Sequence, residues 1–334
     1  MNNFLRMEYI TLNNGVKMPQ VGLGTFLIPE DKLIKTIGQA YELGYRQFDT
    51  AWRYHNERTI ARALKENGIK RSDVFITTKI NADALYTSDY KYGLHSFFNR
   101  RNGKSIDDVI QESFENLDTK YIDLFLIHWP WPMCGKMYQA LEKQYLLGRI
   151  KAIGVSNFLP PHIEYLREFS DIVPAVNQFE ISPLNTNKGI ISYCREKNIA
   201  VEAMSTFSHY RSVEPRAEIF NNKILLNIAQ RHNRSVVQVV LRWFLQQNII
   251  MIPKTWETKH LKENISIFDF KLSEEEMTSI DTLNEGKFLN YIPLGEQYWL
   301  PKKYWNWPGF KEWEKYNSPD SFSEKIEKNF KKIV

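Results

Sequence analysis

Three apolar runs in this sequence carry a charged or titratable residue at or near their ends. YRQFDTA (45–51) holds Asp49, VFITTK (74–79) ends on Lys79 and DLFLIH (123–128) ends on His128. Burying an ionised side chain is costly unless a partner compensates it, so an acid and a base on neighbouring runs suit one another. Tyr54 lies five positions after Asp49, in FDTAWRYHNE. A phenol with its ordinary pKa near 10 keeps its proton at neutral pH and yields it reluctantly. A lysine ammonium beside it stabilises the phenolate and lowers that pKa. The expected chemistry is general-acid catalysis on a carbonyl that receives a hydride. Tyr54 would be the acid and Lys79 its support. Asp49 would hold Lys79 in place, and His128 would orient the carbonyl oxygen near the Tyr54 hydroxyl.

For these residues to meet, their strands must lie together. Five further apolar runs complete a set of eight: QVGLGTF (20–26), IKAIGVS (150–156), AVNQFE (175–180), AVEAMS (200–205) and IIMIPK (249–254). They are rich in Val, Ile and Phe without clean alternation, which suits strands buried on both faces of a parallel sheet. Helical patterns separate them at 31–43, 56–67, 105–117, 136–147, 160–168, 188–197, 222–246 and 258–264. Acidic or hydroxyl residues open several of these and glycines follow others, as helix ends require. YITL, Asn13-Asn14-Gly15 and VKMPQ read as a hairpin placed before the repeat. Eight alternating units plus that hairpin predict a (β/α)₈ barrel, whose active sites collect at the C-terminal ends of the strands. The other strand ends are then Ser156-Asn157, Gln178-Phe179-Glu180, Ser205 and Lys254.

The chain has 334 residues, within the range of a single barrel with insertions. One domain, 1–334, is expected, with a core of about 8–285. Two segments fall outside the repeat: a long connection after strand three, 81–104, and an extension, 286–334, bearing Trp299, Trp305, Trp307 and Trp313. Hydrophobic residues are 43% and charged residues 25% of the chain, which supplies a large core and argues against disorder. The net charge of +5 is spread along the chain, so no nucleic-acid surface is expected. No apolar run precedes a small-residue cleavage site and none is long enough to span a membrane, so the expected location is the cytoplasm. Cys134 and Cys194 are expected to be free thiols.

Other chemistries lack their motifs. There is no GxSxG elbow, HExxH or CxxC, the histidines lack metal-ligand spacing, and Gly22-Leu23-Gly24 lacks the third glycine of a dinucleotide fingerprint. With LNNGVKMPQVGLGTF, FDTAWRYHNE, TTK, YIDLFLIHWP, GRIKAIGVSNF, AVNQFE and IPKTWETKHLKEN in this order, the chain resembles the aldo-keto reductase family over about residues 8–290. The resemblance implies the (β/α)₈ barrel and reduction of an aldehyde or ketone with NADPH, NADH being the alternative, by a monomer acting on a small carbonyl substrate. Asp49, Tyr54, Lys79 and His128 match the family's catalytic tetrad. Ser156, Asn157 and Gln178 match residues that hold the nicotinamide carboxamide. Gly24 and Thr25 match first-strand contacts to the cofactor, and Ser205 matches a pyrophosphate contact. Lys254, Thr255, Glu263 and Asn264 match the adenosine end. Phe26, Tyr54, His128 and Trp129 would face substrate.

The chain departs from the family pattern at four places. Phe26 stands where members usually carry Trp. Met204-Ser205-Thr206-Phe207 stands where they often carry Tyr-Ser-Pro-Leu, so Met204 would cover the nicotinamide ring and Phe207 would lie along the cofactor. His260 replaces the arginine that pairs with the 2′-phosphate. Both 81–104 and 286–334 are unusual, and residues 81–104 with the stretch near Tyr298 to Trp307 are expected to wall the substrate pocket, because barrel function varies through loops. A binding protein that senses cofactor redox state on this fold is the competing reading. The complete tetrad favours the enzyme.

Overall fold

The hairpin pairs β1 (Tyr9–Thr11) antiparallel with β2 (Lys17–Pro19), with Ile10 opposite Met18. Gly15 supplies the left-handed turn residue at φ +86°, a conformation that costs a side-chain-bearing residue energy. The turn is tied to the barrel floor by Asn14, which donates to the Lys151 carbonyl at 2.9 Å, and Asn13, which donates to that of Pro174 at 3.1 Å. Leu12 and Met18 pack with Phe75, Leu124, Leu126, Ala152, Val176 and Ile250 from the strands. The hairpin thus closes one end of the barrel with apolar side chains.

Eight strands follow: β3 (Leu23–Gly24), β4 (Gln47–Asp49), β5 (Phe75–Ile80), β6 (Ile122–Ile127), β7 (Ile150–Ser156), β8 (Val176–Glu180), β9 (Ala200–Met204) and β10 (Ile250–Met251). Each lies parallel to the next in chain order. Met251 closes the ring: its N–H donates to the Gln20 carbonyl at 2.9 Å, and its carbonyl accepts from Gly22 at 2.8 Å. Gly24 is a glycine for the same reason, since a Cβ there would lie 2.7 Å from the Ile252 carbonyl oxygen. The expected barrel is therefore observed. This computed structural model describes residues 7–81, 104–131, 133–207 and 214–286. The pocket walls expected from 81–104 and from the 286–334 extension lie outside the described residues, apart from Asn81, Lys104 and Gly286.

The helices α1 (Glu30–Glu42), α2 (Glu57–Glu66), α3 (Ile106–Asn116), α4 (Cys134–Leu146), α5 (Pro160–Leu166) and α6 (Lys188–Glu196) come first. Then come α7 (Glu214–Phe220), α8 (Lys223–His232), α9 (Val236–Gln246), α10 (Thr258–Ile265) and α11 (Glu274–Asp281). Their apolar faces form a second core outside the strands, in which Ile37, Phe125, Tyr138, Val239 and Trp243 are buried. Each fully buried side chain of this size contributes about 1.5–3 kcal/mol. The single helix expected over 222–246 is two. Asn233 takes the left-handed conformation at φ 51° and ends α8, and Ser235 then accepts from the Gln238 N–H in a capping box that starts α9. The apolar periodicity runs across this break, which hid it. β5, β6 and β7 are as long as their apolar runs, whereas β3, β4 and β10 are two or three residues long, their runs extending past the ladder bonds into the flanking turns.

Candidate active site

The C-terminal mouth of the barrel brings Asp49, Tyr54, Lys79 and His128 together, as expected. β5 presents Lys79, wholly buried, to β4, where Asp49 binds it at 2.6 and 2.7 Å from Oδ1 and Oδ2. The ammonium also donates to the Thr50 carbonyl at 2.8 Å. The Tyr54 hydroxyl lies beside it at 3.5 Å, a contact that is electrostatic rather than a close hydrogen bond. Burial opposes the charge on Lys79, but Asp49 outweighs it and holds its pKa above the ordinary lysine value.

Tyr54 is half-buried and ends a 3₁₀ turn, Trp52–Tyr54, directly after β4. The turn is set by Asn56. Its Oδ1 accepts from the Thr50 hydroxyl at 2.5 Å, and its Nδ2 donates to the carbonyl and hydroxyl of Thr25 at 3.1 Å. Thr25 in turn donates its hydroxyl to the Asp49 carbonyl at 2.8 Å. Its side chain is thus committed to bracing the site, where the resemblance implies a cofactor contact. The expectation that Lys79 lowers the pKa of Tyr54 needs correction in its sum. Burial raises it most, Lys79 lowers it, Asp49 raises it again, and the balance lies above 10. Asp49 cancels much of the field that Lys79 alone would exert.

His128 follows β6, with its ring 5.7 Å from that of Tyr54 in an edge-on arrangement. Burial, then the Lys79 and Arg53 charges, push its pKa well below the ordinary value, so it is neutral at pH 7. Its buried Nδ1 has no hydrogen-bond partner among the described residues. The Phe26 ring lies 4.7 Å from Tyr54, and the Trp129 ring stacks 6.4 Å from His128. These two expected substrate contacts therefore stand beside the tetrad.

Ser156, Asn157 and Gln178 gather at adjacent strand ends and are all buried. Asn157 takes the left-handed region at φ 63° and donates to the His128 carbonyl and to Ser156 Oγ, both at 3.1 Å. Its own Oδ1 is buried without a partner among the described residues. An unmet acceptor beside a serine hydroxyl fits a primary carboxamide, which offers two N–H donors and a carbonyl oxygen. Met204 ends β9 half-buried, Ser205 adopts φ 53°, and the Phe207 ring stacks 5.8 Å from Phe220.

The adenosine-end candidates sit apart, at the rim beyond β10. Lys254 and His260 are exposed, Glu263 is half-buried, and Thr255 and Asn264 are buried. The Thr255 hydroxyl accepts from the Glu257 N–H at 3.1 Å near the start of α10. Two residues missed in the sequence join them. They are Lys32 of α1 and Trp256, whose ring centre lies 5.0 Å from the Lys32 ammonium and 4.7 Å from that of Lys254. Only the fold brings α1 to this rim. A third missed residue, Glu202, is wholly buried in the barrel interior; a lone acid inside the apolar run AVEAMS was its signal.

The sequence matches the Aldo/keto reductase family over residues 20–285. The chain belongs to that family. It is an oxidoreductase of the carbonyl-reducing, nicotinamide-dependent class. It is 39% identical over 300 residues to the 9,11-endoperoxide prostaglandin H2 reductase of Trypanosoma cruzi, covering 86% of this chain and 97% of that protein. It is also 39% identical over 281 residues to the glyoxal reductase of Bacillus subtilis, covering 83% and 93%. The fold matches a Bombyx mori aldo-keto reductase solved in complex with NADP, with TM-score 0.73 and 29% identity over 86% of this chain and 96% of that one.

Proposed function

We propose that this aldo-keto reductase reduces the carbonyl of an aldehyde or ketone to an alcohol with NADPH, using Tyr54 as the proton donor. The observation that carries this reading is the buried Lys79 ammonium, locked to Asp49 at 2.6 Å and facing the Tyr54 hydroxyl at 3.5 Å. NADPH supplies the hydride. As negative charge develops on the carbonyl oxygen, Tyr54 donates its proton, and Lys79 stabilises the phenolate that remains. A tyrosine whose pKa lies above 10 gives nothing up to water beforehand, so transfer waits for an alkoxide, a stronger base. Neutral His128 offers a ring nitrogen to the carbonyl oxygen and brings no competing positive charge. Ser156, Asn157 and Gln178 hold the carboxamide, Met204 covers the nicotinamide ring, and Gly24, Ser205 and Phe207 lie along the cofactor. Lys254, Thr255 and His260, with Glu263 and Asn264, take the adenosine end, where Lys32 adds a second ammonium for the 2′-phosphate. Phe26 and Trp129 give the substrate an apolar wall.

The same reading takes the chain as one domain, 1–334, acting as a cytoplasmic monomer. Among the described residues no helix is long and apolar enough to cross a membrane, and Cys134 and Cys194 are buried free thiols. The test is a panel of aldehydes and ketones with NADPH and with NADH, following cofactor absorbance in the wild type and in Tyr54→Phe. The variant is expected to keep NADPH binding and to lose about two to four orders of magnitude in turnover, the usual size of general-acid catalysis. Near-normal turnover in the purified variant would remove Tyr54 from its role.

A further inference from the structure

Below the tetrad, the barrel interior holds a second carboxyl. Glu202, on β9, is fully buried and bonded from two directions. Gln47 of β4 donates to its Oε1 at 2.6 Å, and Gln178 of β8 donates to its Oε2 at 2.7 Å. The same Gln178 nitrogen donates to Asp49 Oδ2 at 2.9 Å. In the ring of strands β4 and β8 stand opposite one another, so these bonds cross the barrel. Gly22 makes the crossing possible, because a Cβ there would lie 2.7 Å from Gln47 Cδ.

The bonding fixes what Gln178 can offer. A primary amide has two N–H donors and one carbonyl oxygen. Here both donors are spent, one on Asp49 and one on Glu202, which leaves the oxygen for a ligand. Without Glu202 the amide could rotate and present either end. Charge accounting also favours a protonated Glu202. The titratable groups around it are Asp49, Lys79 and Tyr54; Lys79 is already balanced by Asp49, and Tyr54 is neutral. A proton on Oε1 also suits the 2.6 Å approach of Gln47, whose own Oε1 is buried without a partner and can turn inward by rotation of the amide. Burial and the nearby Asp49 accordingly push the Glu202 carboxyl up to about 7. In either protonation state Oε2 still accepts from Gln178.

We propose that Glu202 is a positioning residue for hydride transfer: together with Asp49 it locks the Gln178 amide so that its carbonyl oxygen receives an N–H of the nicotinamide carboxamide. This rests on the reading above that Gln178 contacts that carboxamide. The test separates the two ends of the cofactor by comparing NADP⁺ with 2′-phospho-ADP-ribose, which is the same molecule without nicotinamide. Binding is measured by calorimetry in the wild type, Glu202→Met, Glu202→Gln and Gln178→Ala. Glu202→Met keeps the length of the side chain and loses both acceptors. It is expected to bind NADP⁺ about tenfold more weakly, about 1.4 kcal/mol, with 2′-phospho-ADP-ribose unchanged within about twofold. Glu202→Gln keeps an acceptor for Gln178 and a group for Gln47, and is expected to restore NADP⁺ binding to near the wild-type value. Gln178→Ala should lose NADP⁺ selectively as well. If Gln178→Ala weakens NADP⁺ and Glu202→Met does not, the role of Glu202 is overturned while the carboxamide site stands. If Gln178→Ala leaves NADP⁺ binding intact, both fall together. Equal weakening of the two ligands by Glu202→Met would mark a general loss of structure and overturn positioning. Should the methionine variant fail to fold, Glu202→Ala, which leaves room for water, carries the same comparison with the same outcomes.

Discussion

At the centre of the barrel Asp49, Lys79 and Glu202 are 2%, 0% and 0% exposed, and each is held by at least two hydrogen bonds. At the rim Lys32, Lys254 and His260 are exposed, and the two lysines meet over one indole ring. Both regions gather titratable groups, but they gather them in opposite surroundings. In the interior every charge needs a partner, so a change to one residue reaches all the others. At the rim the side chains are exposed to solvent, where an ion pair is screened and contributes little. On the proposed reading, chemistry is concentrated where substitution is expensive, and cofactor preference where it is cheap.

The largest effect is expected from splitting the buried pair. Lys79→Met takes the cation away from the buried Asp49 carboxyl, and breaking a buried pair in this way costs about 3–5 kcal/mol of stability. Urea unfolding measures it. A cost below about 1 kcal/mol, the range of exposed pairs, would erase the contrast drawn above.

Next is a pH dependence that belongs to Glu202. Its folded pKa, about 7, lies above its ordinary 4.5, so the folded state binds the proton more tightly. The stabilisation is complete below pH 4.5 and is lost as pH rises through 7, by up to about 3 kcal/mol. Glu202→Gln cannot titrate and should gain on the wild type over that window and run parallel to it above. His128 works in the other direction, since its depressed pKa removes stability as pH falls below its ordinary value. The difference between Glu202→Gln and wild type, measured by denaturation at each pH, isolates the carboxyl. A flat difference would show Glu202 ionised throughout.

At the rim, Lys254→Ala and Lys32→Ala are each expected to weaken NADPH by about 1 kcal/mol or less, the size of an exposed ion pair, and to leave NADH unchanged. The smallest step is His260→Arg. A guanidinium can grip a phosphate with two parallel bonds, so NADPH should tighten by less than about 1 kcal/mol. Titration of both cofactors checks these variants, and equal effects on NADH would remove the 2′-phosphate site.

The same contrast explains what could be read from the sequence. Asp49, Lys79 and His128 stood out because charge or imidazole at the end of an apolar run demands a reason. Ser156, Asn157 and Gln178 came from the family resemblance, and the structure places them side by side. Glu202 shows in the sequence only as a lone acid inside an apolar run, and its partner Gln47 is 155 positions away, so the pairing itself has no local signal. Lys32 looked like any exposed helix lysine until α1 met the loop after β10. The sign of the Tyr54 shift was misjudged because it is a sum over burial, Lys79 and Asp49, and the sequence supplies only the members. The break at Asn233 was missed because one left-handed residue can end a helix without disturbing its apolar rhythm.

The seam where Met251 joins Gln20 and Gly22 also bears on how the molecule comes into being. The Gln20 side chain donates to the Leu245 and Ile249 carbonyls, the latter 229 positions further along the chain. At about 5–20 residues per second, a ribosome needs roughly ten seconds or more to traverse such a span. Until then β3 has one free edge and the interior polar layer is open to water. The nascent strands must wait as an incomplete sheet until β10 is made and converts the arc into a ring. Contacts this distant in sequence make closure the slow event of folding and leave the unfinished arc exposed to pairing with other chains.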